Sequence, residues 1–141
     1  MCHDTPQCLF CSDRRHCVFF CKLSTACSST PNHLKTLSTT EGGLRPADVY
    51  GGPDGAVAQL QSLREWFDRQ KEYFFYSSSV LIMYEGAAEC AEEVDVAIRL
   101  VDFAHTFPSE GRRDTNFIAG LSSLIDRLSG VMHQDAMDCT L

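Results

Sequence analysis

The periodic apolar runs of this 141-residue chain fall almost entirely within residues 54–130. Whatever core it builds must be built there, because regular apolar spacing is what lets a helix or strand bury one face. The first half is rich instead in Cys, Ser, Thr, Gly and Pro.

Within 54–130, Asp54 is placed to cap a helix that starts near Gly55. Val57, Leu60, Leu63, Phe67 and Phe74 recur at spacings of three, four and seven, which predicts an amphipathic helix of about five turns. Tyr73–Tyr76 and Val80–Tyr84 are strand formers, interrupted by Ser77, Ser78 and Ser79 and closed by Glu85-Gly86. From Val94 to Phe103, Val94, Val96, Ile98 and Leu100 alternate with other residues, the period of a strand. The short acidic connection 86–93 predicts that these two strands pair as an antiparallel hairpin. Asp114 then caps a last helix with Phe117, Leu121, Leu124, Ile125 and Leu128 on its apolar face, and Gly130 is placed to stop it. The order helix, strand, strand, helix is an α+β arrangement, antiparallel strands with flanking helices. Residues 131–141 read as a frayed tail.

Charge and hydropathy narrow the function. The formal net charge is −7, which argues against nucleic-acid binding, where a basic face must neutralise phosphates. No run of 18 apolar residues is present, so no helix is expected to span a membrane. The apolar stretch Cys17–Leu23 is closed early by Lys22 and lacks a clean cleavage site. An intracellular chain, nuclear or cytoplasmic, with reduced thiols is expected.

Six of the eight cysteines lie in the first 27 residues: Cys2, Cys8, Cys11, Cys17, Cys21 and Cys27, with His3 and His16 among them. Cys8–Cys11 and Cys17–Cys21 are close pairs of the kind that zinc uses, but only five residues separate them, short for a two-pair site. A zinc knuckle and a disordered segment with incidental thiols both remain open. Residues 28–53 have linker composition, so 1–53 is expected to form little regular structure.

Three places in the second half can carry chemistry. Asp102 ends an apolar strand, where a carboxylate is stranded beside a core unless a divalent cation or a turn compensates it. Asp102-Phe103-Ala104 parallels the Asp-Phe-Gly of protein kinases, in which the Asp holds metal. His105 can donate to a phosphate or simply be solvated. Ser77–Ser79 can offer hydroxyls to a phosphate, hold a neighbouring loop or bond to strand backbone.

Together these residues form a familiar pattern. Residues 76–86, Y-S-S-S-V-L-I-M-Y-E-G, resemble the SSLL strand of the inositol polyphosphate kinase family. Residues 99–106, R-L-V-D-F-A-H-T, resemble its R-[ML]-[IV]-D-F-A-H motif, and residues 114–125 its following D-x-[GN]-[FY]-[IL]-x-G-L-x-x-L-I helix. The Ala104-His105 pair resembles the multikinase and hexakisphosphate kinase branches. The resemblance covers roughly 57–129 and implies the C-terminal lobe of a two-lobed kinase-like fold. It implies phosphorylation of an inositol phosphate hydroxyl by ATP with Mg2+. Asp102 would bind the metal that bridges the ATP phosphates. His105 would face the inositol phosphate, and Ser78 and Ser79 would line and shape that site.

The departures carry equal weight. The family's P-x-x-x-D-x-K-x-G motif, whose Asp and Lys orient the substrate, has no counterpart, and no segment matches the ATP-clamping N-terminal lobe. The twelve Lys and Arg residues are few for a polyanion site. Phosphoryl transfer needs several charges acting together, so the expectation is a fragment or short form with little or no kinase activity. The competing reading is a non-catalytic interaction module derived from such a kinase, with an N-terminus that binds zinc or a partner.

Overall fold

A computed structural model describes residues 16–22, 44–138 and 140. Three antiparallel strands form one sheet: β1 (His16–Lys22), β3 (Ser79–Glu85) and β4 (Ala97–Val101), in the order β1-β3-β4. A separate two-stranded ribbon pairs β2 (Tyr73–Phe75) with β5 (Thr106–Pro108). The helices are α1 (Pro46–Tyr50), α2 (Ala56–Arg69) and α3 (Thr115–Asp138), and both α1 and α2 pack on α3. The α+β arrangement and the β3–β4 hairpin are as the sequence predicts.

The core lies between the inner sheet face and the helices. Val80, Ile82 and Tyr84 of β3 are buried while Leu81, Met83 and Glu85 are half-buried, the alternation of a sheet covered on one side. Leu60 and Phe67 of α2 meet Phe117, Leu121, Leu124 and Leu128 of α3, and the Phe67 and Phe117 rings stack at 4.3 Å. Full burial of each such side chain is worth about 1.5–3 kcal/mol.

Several elements differ from expectation, each for a local reason. The helix expected to run to Phe74 stops at Arg69. The Gln70 side-chain oxygen accepts the Glu72 and Tyr73 amides at 3.1 Å, and its nitrogen donates to the Tyr73 carbonyl at 2.8 Å, which turns the chain into β2. Phe74 therefore belongs to the ribbon. Gly55, not Asp54, is the N-cap of α2. A Cβ at Gly55 would collide with the Gly51 carbonyl, so this turn requires glycine.

The second hairpin strand begins at Ala97 rather than Val94, because Asp95 adopts φ +45°. Val94 is nonetheless buried, and its carbonyl accepts the Glu85 amide at 2.7 Å. The strand ends at Val101, where Asp102 turns left-handed.

Gly130 does not stop α3, which continues to Asp138 in place of the frayed tail. Val131 is buried and Met132 packs against the core, so tertiary packing overrides the low helix propensity of glycine. Asp114 caps this helix as predicted, accepting the Phe117 amide at 3.0 Å.

Two elements lie where little regular structure was expected. β1 pairs with β3 from His16↔Glu85 to Lys22↔Ser79. α1 is opened by Pro46, with Asp48 accepting the Arg45 amide at 2.8 Å. The proposed ligands Cys2, His3, Cys8, Cys11 and Cys27 lie outside the described residues. Among the described residues no helix is long and apolar enough to cross a membrane.

Candidate functional site

The site is set by how β4 ends. Asp102 follows Val101 with φ +66°, so the extended chain cannot continue and the Asp102 side chain lies exposed. The expectation of a carboxylate stranded beside a core is corrected: Asp102 is exposed. Phe103 is 54% exposed and meets Phe75 edge-on at 6.1 Å, so it only partly packs inward. His105 is exposed, and its backbone carbonyl accepts the Tyr76 amide at 3.0 Å.

The serines sit behind this loop. Ser77 has φ +57°. Ser78 and Ser79 are each 1% exposed. The Ser78 hydroxyl donates to the Asp102 carbonyl at 2.7 Å. Ser78 thus meets Asp102 through the backbone rather than offering its hydroxyl outward. Ser79 occupies a cross-strand row with Lys22 and Val101. The fold therefore brings Asp102, His105 and Ser78 to one end of the sheet, with Ser79 in the adjoining row.

Chemically, this end presents one exposed carboxylate with an exposed imidazole three residues on. Among the described residues no group of three or more His, Cys, Asp or Glu side chains could hold a metal, so they build no closed protein cage. A hard cation that keeps water and phosphate on its remaining positions needs only one or two carboxylates, and Asp102 suits that role. The exposed guanidinium of Arg99, bonded to the Ile98 carbonyl at 2.8 Å, lies on the same strand.

The opposite end of β4 is different. A cleft of about 560 Å3 lies between the Gly51–Gly55 turn and residues 91–96, and Asp48, Asp54, Glu92 and Asp95 are among its lining residues. Four carboxylates repel phosphate groups, so this cleft does not suit a polyanion despite its size.

Two supporting residues were not singled out for these roles from sequence. Gln59 of α2 closes the outer edge of β4: its amide nitrogen donates to the Val96 carbonyl at 2.6 Å and its oxygen accepts the Ile98 amide at 3.1 Å. A glutamine on a helix reads as a solvated face, so no signal marked it. Asp114 does more than cap. Its second oxygen accepts the Phe75 amide at 2.7 Å, tying the ribbon to the start of α3.

Comparison with known proteins follows this geometry. The family model for inositol polyphosphate kinase matches residues 52–129. An inositol polyphosphate multikinase of Oryza sativa is 42% identical over 91 residues, covering 61% of this chain and 31% of that protein. Inositol polyphosphate multikinase beta of Arabidopsis thaliana is 39% identical over 105 residues, covering 67% and 35%. Human inositol hexakisphosphate kinase 2 is 28% identical over 117 residues, covering 55% and 27%. The chain thus spans about a third of the length of the plant relatives. Among solved structures, an inositol phosphate multikinase superposes with a TM-score of 0.63 at 33% identity, covering 72% of this chain and 46% of the other. The multikinase of S. cerevisiae, solved with ADP and Mn2+, shares the fold at a TM-score of 0.50 and 17% identity, covering 77% and 48%. The motifs around Ser78, Asp102 and Asp114 and the match over residues 52–129 agree: the chain belongs to the inositol polyphosphate kinase family.

Proposed function

We propose that this chain carries the metal-handling end of a kinase site that transfers a phosphoryl group from ATP to a hydroxyl of an inositol polyphosphate. The observation that carries the reading is the exposed Asp102 carboxylate at the end of β4, in the family's D-F-A-H motif. Asp102 would hold a divalent cation such as Mg2+, which when bound neutralises charge on the transferred group. His105 would turn toward an inositol phosphate. Ser78 would serve from behind the loop, where its buried hydroxyl already has a partner. The multikinase of S. cerevisiae solved with ADP and Mn2+ motivates the choice of an adenine nucleotide with a divalent cation.

We further propose that these 141 residues alone turn over slowly or not at all, because the sequence has no P-x-x-x-D-x-K-x-G to orient the attacking hydroxyl. That same absence favours a second reading, a non-catalytic module derived from the kinase. The test measures ATP consumption with an inositol trisphosphate or tetrakisphosphate and Mg2+, beside Mn2+–ADP broadening of the NMR amide signals of residues 102–105. Weak broadening lost in Asp102→Asn, with little turnover, is the expected result. Broadening that persists in Asp102→Asn overturns the metal assignment. Robust turnover lost in Asp102→Asn overturns the claim that the chain is insufficient alone.

A further inference from the structure

The segment Tyr76–Ser78 grips the loop 102–105 at both ends. The Tyr76 amide donates to the His105 carbonyl at 3.0 Å, and the Ser78 hydroxyl donates to the Asp102 carbonyl at 2.7 Å. Between the two, Ser77 takes φ +57°, so the segment kinks there. Ser78 is buried to 1% exposure, whereas Asp102 and His105 are exposed. A solvent-facing pair of side chains is thus held from inside through its backbone.

Asp102 needs such a hold. Its φ of +66° lies in the left-handed region that disfavours residues with a Cβ. The cost of that conformation and the net gain from one hydrogen bond are of the same order. One hydroxyl is therefore of the size needed to bias Asp102 between left-handed and extended backbone. Relaxation would swing its carboxylate away and change its spacing from His105, whose carbonyl stays pinned by Tyr76.

We propose that Ser78 is a positioning residue: its hydroxyl fixes Asp102 in the left-handed conformation and so sets the carboxylate relative to His105. The proposal rests on the reading of Asp102 as the metal ligand. Ser78 itself touches neither metal nor substrate. Groups that orient a metal ligand typically change metal affinity by roughly tenfold to a hundredfold when removed, and the Ser78 bond is of that kind.

The experiment compares the wild-type 141-residue chain with Ser78→Ala, Ser78→Cys, Asp102→Asn and, as a remote control, Ser122→Ala. Ser122 donates to the Ile118 carbonyl within α3. The first readout needs no ligand: the intraresidue amide-to-Hα NOE of Asp102, which is strong only at positive φ. The second is the Mn2+ concentration, at fixed ADP, that half-broadens the amide signals of residues 102–105.

Ser78→Ala is expected to weaken the NOE and to raise the Mn2+ requirement roughly tenfold or more. Ser78→Cys, near in volume and a weak donor, falls between. Ser122→Ala matches wild type. If Ser78→Ala fails to fold, Ser78→Cys carries the same comparison. An unchanged NOE in a folded Ser78 variant overturns the proposal. So does an unchanged Mn2+ requirement where Asp102→Asn abolishes the broadening. If Asp102→Asn leaves the broadening intact, or wild type shows none, the metal reading fails by itself, and the NOE still decides whether Ser78 holds the backbone.

Discussion

Asp102→Gly separates the strain at Asp102 from its chemistry. Asp102 is exposed, so removing its side chain opens no cavity and strands no buried partner. Its backbone carbonyl, which accepts the Ser78 hydroxyl, survives the change. What the substitution removes is the Cβ at φ +66°, a conformation that costs a non-glycine residue about 1–2 kcal/mol. Against this, glycine gives the unfolded chain extra freedom worth about 0.5–1 kcal/mol. The balance runs from about zero to 1.5 kcal/mol in favour of the variant, with its centre worth roughly 2–4 °C in Tm for a domain of this size. Asp102→Asn is the partner experiment, because asparagine and aspartate meet a similar cost in the left-handed region, so Tm should be unchanged. Scanning calorimetry on the three proteins, beside the Mn2+–ADP titration, gives both halves of the result. A Tm for Asp102→Gly below wild type would refute the reasoning that the end of β4 stores strain. A Tm gain without loss of Mn2+ broadening would refute the reading that the strain serves a metal ligand.

Three other substitutions probe the frame. Asp114→Ala removes the cap on the Phe117 amide and the tie to the Phe75 amide together, at a buried position; a loss of about 2–4 kcal/mol is expected in urea denaturation. Gln59→Leu leaves the Ile98 amide and the Val96 carbonyl without their side-chain partner; about 1–3 kcal/mol is lost, and hydrogen exchange at the Ile98 amide accelerates. The Cys90 thiol is held above its ordinary pKa, first by its side-chain hydrogen bond with Glu92, then by slight desolvation and the charge of Glu93. A raised thiol pKa means less thiolate near pH 8, so Glu92→Gln should speed alkylation of Cys90, read by peptide mass spectrometry; no change would show that Glu92 does not govern the thiol.

The elements were legible where one physical signal dominated. The strand formers of β3, the Phe117–Leu128 stripe and the Asp114 cap needed only local propensity, local periodicity and one short polar side chain. The boundaries that failed depended on partners distant in sequence. Gly130 reads as a stop until α1 packs against α3, and Phe74 reads as helical until Gln70 folds back over the next two amides. β1 was missed because its seven residues sit in a cysteine-rich segment and gain their pairing only from β3. At the candidate site, motif spacing singled out Asp102 as a candidate, but its exposure and its left-handed backbone were not legible. Neither follows from composition, and the residue that holds the backbone, Ser78, lies 24 positions away. For Ser78 the sequence left a ligand-facing hydroxyl and a bond to backbone both open, and its hydroxyl bonds to backbone.

The strand order also bears on how the sheet assembles in time. β3 and β4 are joined by residues 86–96, whereas β1 reaches β3 only across residues 23–78. Closing the longer loop costs roughly 1.4 kcal/mol more entropy by the logarithmic rule, about a tenfold handicap in rate. The hairpin should therefore form first and recruit β1 later. Ser78, Asp102 and the hydrogen bond that joins them lie at the open end of this early unit, so the site end should take shape on a two-stranded template before the third strand arrives.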